Sequence, residues 1–169
     1  GMDNDDRKKN QEDFIYDRCR IIIATNAFGM GIDKSNVRFV IHYNMPQSME
    51  NYYQEAGRAG RDGEPSQCIL LFSAQDIVLC KYLLEHKEFT DVPYEDVELI
   101  KQRDIKRLQI MEGYCRTSGC LRNYILEYFG EKRGEPCENC GNCDSDFDKT
   151  DMTYEAKTVI NCVYETKGR

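Results

Sequence analysis

The chain has 169 residues, enough for one ordinary domain or two small ones. Hydrophobic residues make up 40%, charged residues 31% and aromatics 11%, which excludes a disordered tail and allows a buried core. The net charge of −7 excludes phosphate binding by a general basic excess, so any nucleic-acid contact has to be local or shared with other parts of a larger protein.

No apolar run approaches membrane-spanning length, and the opening GMDNDDRKKNQEDF has nothing of a signal peptide. A soluble, cytoplasmic protein without a membrane partner is expected. There are nine cysteines. A secreted disulfide framework would need an even count and a signal peptide. Four of the nine cluster at ligand spacing, and metal binding in a reducing compartment explains them better.

In chain order, residues 4–17 predict a charged amphipathic helix with Phe14 and Ile15 as its apolar contacts. Continuously apolar runs at 20–25, 37–42 and 67–72 predict strands buried on both faces, as in a parallel sheet covered by helices. Between the last two, 48–59 predicts a helix with Ser48 as N-cap just after Pro46. Another helix is expected over 74–87. Alternation of this kind implies an α/β layer.

Near residue 90 the pattern becomes helical. Residues 94–115 place Val97, Ile100, Ile105, Leu108 and Met111 in an apolar stripe. Leu121, Tyr124, Ile125 and Tyr128 mark a second helix that should stop at Gly130. After a cysteine-rich knot at 135–144 and an acidic, linker-like stretch at 144–151, residues 153–165 predict a last helix with Ala156, Val159, Ile160 and Val163 apolar. One such helix cannot bury its own face, so it is expected to open a further, truncated domain.

Cys120, Cys137, Cys140 and Cys143 form C-x16-C-x2-C-x2-C. Four soft thiolates suit a tetrahedral zinc ion, and C-x2-C spacing lets one turn aim two sulfurs inward. Gly141 and Asn142 are turn residues fitted to that path. An iron–sulfur cluster is the competing occupant. Cys115, at C-x4-C from Cys120, is a further candidate ligand, whereas Cys19, Cys68, Cys80 and Cys162 read as small buried hydrophobes. His42 ends a strand and reads as structural.

Two other segments stand out: Ala24-Thr25-Asn26-Ala27-Phe28-Gly29-Met30-Gly31-Ile32-Asp33, and Tyr52-Tyr53-Gln54-Glu55-Ala56-Gly57-Arg58-Ala59-Gly60-Arg61-Asp62-Gly63. Gly57 and Gly60 would be costly in a helix chosen for stability. Arg58 and Arg61, three apart, are expected on one helical face, where forked guanidinium donors suit a phosphate. The plain alternative is a pair of solvated surface arginines.

These segments resemble motifs V and VI of superfamily 2 helicases, and the form Q-E-x-G-R-A-G-R-D-G is similar to the RecQ family in particular. A DEAD-box RNA helicase would carry H-R-x-G-R-x-G-R instead. The likeness continues through Val37–His42, Tyr128-Phe129-Gly130-Glu131 and the four cysteines, and so covers nearly the whole chain. The resemblance implies an ATP-dependent, 3′-to-5′ DNA helicase of repair or recombination, with ATP, Mg²⁺ and structural Zn²⁺ as cofactors and DNA as partner. The alternative is a zinc-stabilised structural or interaction module.

The resemblance also assigns residues. Gln54, Arg58 and Arg61 match those facing ATP, the arginines as candidate fingers for the γ-phosphate. Thr25 and Gly29 match the DNA-coupling part of motif V. Gly31 and Asp33 match its nucleotide side, Asp33 at a ribose contact. Cys120, Cys137, Cys140 and Cys143 match the zinc ligands, and Cys115 falls outside them. Leu121-Arg122 departs from the two arginines that often follow the first ligand. The sequence holds no G-x-x-x-x-G-K-[ST] and no DExH-type box, so the phosphate-gripping lobe is expected elsewhere. The implied organisation is a partial RecA-like parallel-sheet lobe (1–88), a small helical zinc-binding domain (89–150) and the first helix of a winged-helix domain (151–169).

Overall fold

In the computed structural model, which describes residues 2–25, 33–89, 93–145 and 150–166, the order is α1 (Asn4–Ile15), β1 (Phe39–His42), α2 (Met49–Ala56), β2 (Gln67–Leu70), α3 (Ala74–Glu85), α4 (Tyr94–Arg116), α5 (Leu121–Tyr128) and α6 (Thr153–Glu165). The expected fold class holds: a small parallel sheet with helices, consistent with part of a RecA-like lobe, then helices around a cysteine cluster.

The capping chemistry explains the helix starts. Ser48 accepts from the Asn51 N–H at 3.3 Å and begins α2. Ser73 and Asp76 form a reciprocal capping box at the head of α3. Asp76 also reaches out of its helix, accepting from Asn44 Nδ2 at 3.1 Å and the Met45 N–H at 3.4 Å. It thereby ties the loop after β1 to α3. At the other end of the chain, α5 stops before Gly130, whose φ of +90° requires glycine.

β1 and β2 pair in parallel, Phe39 opposite Gln67 and His42 opposite Leu70. The face carrying Val40, His42, Cys68 and Leu70 meets α2: the Cys68 thiol donates to the Ala56 carbonyl, and His42 lies against Tyr52 with ring centroids 5.1 Å apart. The opposite face is open, with Phe39, Ile41 and Ile69 exposed. Burial on both faces is therefore not observed, because no described helix lies over that side.

Residues 20–25 do not form the expected strand either. They have no ladder partner among the described residues, and Ile23 is 95% exposed. An apolar run becomes a strand only where a neighbouring strand takes its N–H and C=O groups. Cys19, Cys68 and Cys162 are exposed, contrary to expectation, while Cys80 is buried. Cys19 immediately precedes the unpaired run at 20–25, Cys68 lies in β2, whose first three residues are exposed, and Cys162 lies on α6, which buries no residue.

The core crosses the domain boundary read from the sequence. Met49 and Tyr52 of α2 and Ile77, Cys80 and Leu84 of α3 pack with Leu108, Met111 and Tyr114 of α4. Leu108 and Met111 are 0% exposed, each worth roughly 1.5–3 kcal/mol of burial. Tyr124, Ile125 and Tyr128 of α5 close the cluster from outside. Ile105, by contrast, is 38% exposed, so the fully buried part of the stripe on α4 is narrower than its spacing suggested. No helix among the described residues is long and apolar enough to cross a membrane.

Candidate metal centre and arginine-bearing turn

The four cysteines meet at the start of α5. The sulfurs of Cys120, Cys137, Cys140 and Cys143 all lie within 4.8 Å of one another. Two helix N-terminal amides point at them: Leu121 N–H donates to Cys140 Sγ at 3.4 Å and Asn123 N–H to Cys120 Sγ at 3.5 Å. Amides at a helix start favour negative charge on a sulfur. Within the knuckle, the N–H groups of Cys143 and Asp144 both donate to the Cys140 carbonyl at 2.9 Å, and Glu138 takes a φ of +49° to make the turn.

Two asparagines hold this arrangement in place, and sequence reasoning missed what they do. Asn142 Nδ2 donates to the carbonyls of Thr117 and Gly119 at 2.7 and 2.8 Å, tying the knuckle to the loop before Cys120. Buried Asn123 donates to the carbonyls of Gly134 and Glu135 at 2.8 and 3.0 Å. A polar residue inside the apolar pattern of α5 was the available signal.

The thiols cannot all ionise together. Burial opposes ionisation of Cys140, but the N–H groups of Leu121 and Cys143 outweigh it and hold that thiol at about 6. Burial, with the three neighbouring sulfurs, pushes Cys137 up to about 12. Negative charge collected on one sulfur is thus resisted on the next, which is the conflict that a bound dication relieves. The donor set fits zinc: four soft sulfurs, close enough for one ion, with amides to spread the charge. Cys115 lies outside the cluster, its thiol pushed up to about 12 chiefly by burial and then by Asp76.

The second candidate site follows α2. That helix ends at Ala56, so Arg58 and Arg61 stand in turns and not on one helical face as expected. The Gly60 N–H donates to the Val37 carbonyl at 2.9 Å, and its φ of +66° cannot continue a helix. A Cβ there would sit 2.9 Å from the Glu64 carbonyl oxygen. Arg61 Nη1 meets Asp33 Oδ1 at 2.6 Å, joining the ends of the two motif segments. Arg58 is half-buried, and Gln54 and Thr25 are exposed. Gly29 and Gly31 lie outside the described residues. On the inner side of α2, buried His42 Nε2 meets Glu55 Oε2 at 2.7 Å, so His42 is structural, as its place in the sequence implied.

Family comparisons agree with this geometry. A model described as "Helicase conserved C-terminal domain" matches residues 1–63, and one described as "RecQ zinc-binding" matches residues 74–144. The second match ends just after the last cysteine of the cluster. Together with the relatives that follow, these matches support a fragment of a RecQ-family helicase. It is 47% identical over 169 residues to the ATP-dependent DNA helicase RecQ of Bacillus subtilis, covering 100% of this chain and 27% of that protein. It is 41% identical to the RecQ of Haemophilus influenzae, covering 97% of this chain and 25% of the relative. The ATP-dependent helicase SGS1 of Saccharomyces cerevisiae is 38% identical over 96% of this chain and 11% of its own length. The chain thus spans about a quarter of the bacterial relatives. The RecQ zinc-binding match and the four-cysteine cluster together support a structural zinc site.

Proposed function

We propose that this chain is the arginine-finger and zinc-bearing portion of an ATP-dependent DNA helicase that unwinds duplex DNA with 3′-to-5′ polarity in repair or recombination. The observation that carries the reading is the packing of α2, which runs into the turn holding Arg58 and Arg61, onto the same core as α5, the helix capped by Cys120. In this reading Cys120, Cys137, Cys140 and Cys143 hold zinc. Arg58 and Arg61 act on charge developing at the γ-phosphate of ATP bound with Mg²⁺, and Gln54, Gly31 and Asp33 lie on the nucleotide side. Thr25 and Gly29 couple to the DNA strand. The working divisions are 1–88, 89–150 and 151–169.

The test is DNA-stimulated ATPase in a protein carrying both motor lobes. A finger acts on transition-state charge, so Arg61→Ala or Arg58→Ala should lower kcat by about 10³-fold or more and KM far less. Normal turnover in both variants would return the arginines to the status of surface residues.

A second reading, a zinc-stabilised interaction module without catalysis of its own, is favoured by the net charge of −7 and the lack of a phosphate-cradle motif in the sequence. Under either reading the isolated chain should hydrolyse no ATP and bind DNA weakly, and ATPase in the two-lobe protein separates them.

A further inference from the structure

Helix α2 carries Gln54 and runs directly into the turn of Arg58 and Arg61, so its pose decides where the guanidinium groups stand. Contacts from the zinc side grip it at two levels. In the core, Tyr114 Oη of α4 donates to Tyr52 Oη at 3.1 Å, their ring centroids 5.1 Å apart. At the first turn of α2, Tyr128 Oη of α5 donates to Glu50 Oε1 at 2.7 Å, and Arg107 Nε approaches the same oxygen at 3.3 Å.

These tyrosines are connected to the sulfur cluster through one short helix. Cys120 caps the N-terminus of α5, and Tyr124 and Tyr128 follow at intervals of four on one face. Tyr124 packs edge-on against Tyr114 at 5.7 Å and donates to the Ile110 carbonyl at 2.9 Å. Gly113 permits that approach, since a Cβ there would lie 2.5 Å from the Tyr124 hydroxyl. Fixing the N-terminus of α5 therefore fixes the hydroxyls that reach α2.

The geometry points to Tyr114 and Tyr128 as positioning residues through which the metal centre sets α2, and with it the arginine-bearing turn. What that turn does rests on the proposed function; the mechanical link between metal and helix does not. Linkage makes the link reciprocal. If metal tightens α2, then loosening α2 at its far contacts must weaken metal binding by the same factor. A pair of hydroxyls that only satisfied each other in the core would show no such effect.

The experiment uses the whole 169-residue chain loaded with zinc. Amide hydrogen exchange is followed in α2 and α3, and zinc affinity is read by competition with a chromophoric chelator. Tyr128→Phe and Tyr114→Phe should each speed exchange in α2 by about tenfold, leave α3 unchanged, and weaken zinc several-fold although neither residue touches a sulfur. Glu50→Gln, which keeps an oxygen acceptor for Tyr128, should do less than Glu50→Ala. Unchanged zinc affinity in both phenylalanine variants, or equal acceleration in α2 and α3, overturns the proposal. If Tyr114→Phe fails to fold, Tyr128→Phe decides alone, because its hydroxyl lies at the edge of the core. No nucleotide enters the assay, so failure here leaves the ATPase reading standing. A normal ATPase in Arg61→Ala would in turn leave the coupling intact.

Discussion

Replacing Cys140 by serine tests the metal centre where the structure gives it most support. Cys140 receives the Leu121 amide at the head of α5, and its carbonyl receives two more amides, so its sulfur sits at the junction of helix and knuckle. A structural zinc site contributes roughly 10–16 kcal/mol of apparent binding free energy, and an even share over four thiolates is about 2.5–4 kcal/mol each. Cys140→Ser should therefore weaken zinc by about 10²–10³-fold, at about 1.4 kcal/mol per tenfold. Cys115→Ala, outside the cluster, should leave affinity within about threefold of the parent, since a half-buried thiol swapped for a methyl group mainly changes packing. The assay is chelator competition, with elemental analysis and visible absorbance to separate zinc from an iron–sulfur cluster. Full-strength zinc binding by Cys140→Ser, or metal loss in Cys115→Ala alone, would refute the assignment of ligands.

Two further outcomes concern the core that carries both sites. Leu108→Ala should cost about 2–5 kcal/mol in urea unfolding, because Leu108 is 0% exposed between α2, α3 and α4. Asp76→Asn should lose roughly 1–3 kcal/mol near neutral pH, since the carboxylate accepts from Asn44, Met45 and Ser73. Burial opposes its ionisation, yet those three donors hold its pKa below the usual aspartate value. A group depressed in the folded state stabilises above its unfolded pKa, so the gap between parent and variant should be flat from about pH 8 to 5. It should then narrow as pH falls below the ordinary aspartate value toward the depressed folded one, and a gap that stayed constant through that range would contradict this.

What the sequence made legible depended on how local each signal was. The capping residue Ser48, the stop at Gly130 and the bounds of α6 act within a turn of themselves, and the structure places them as read. The cysteine register was legible because C-x2-C spacing is itself a geometric statement. The apolar run at 20–25 was misread because strand formation depends on a partner elsewhere, which composition cannot supply. For the same reason the spacing of Arg58 and Arg61 suggested a helix, while Gly57 and Gly60 already argued for the turn that is found. The contacts through Tyr114 and Tyr128 lay out of reach altogether. They join residues 62 and 78 positions apart; Tyr128 read simply as apolar pattern, and Tyr114 did not stand out from its helix.

The pairing of Arg61 with Asp33 reconciles two residues that the sequence put in separate roles. They lie 28 positions apart in different motif segments, yet their side chains meet at 2.6 Å. Asp33 is 92% exposed and Arg61 39%, so the pair is a surface ion pair worth about 0–1 kcal/mol. That is enough to bias the rotamer of a long side chain and too little to sequester it. A phosphate brings more charge and accepts forked bonds from a guanidinium, and so outcompetes a single solvated carboxylate. Under the proposed function, the carboxylate at the end of one segment keeps the arginine of the other near the surface, in an orientation that an incoming phosphate can take over. The left-handed turn at Gly60, anchored to the Val37 carbonyl, sets the backbone from which it reaches.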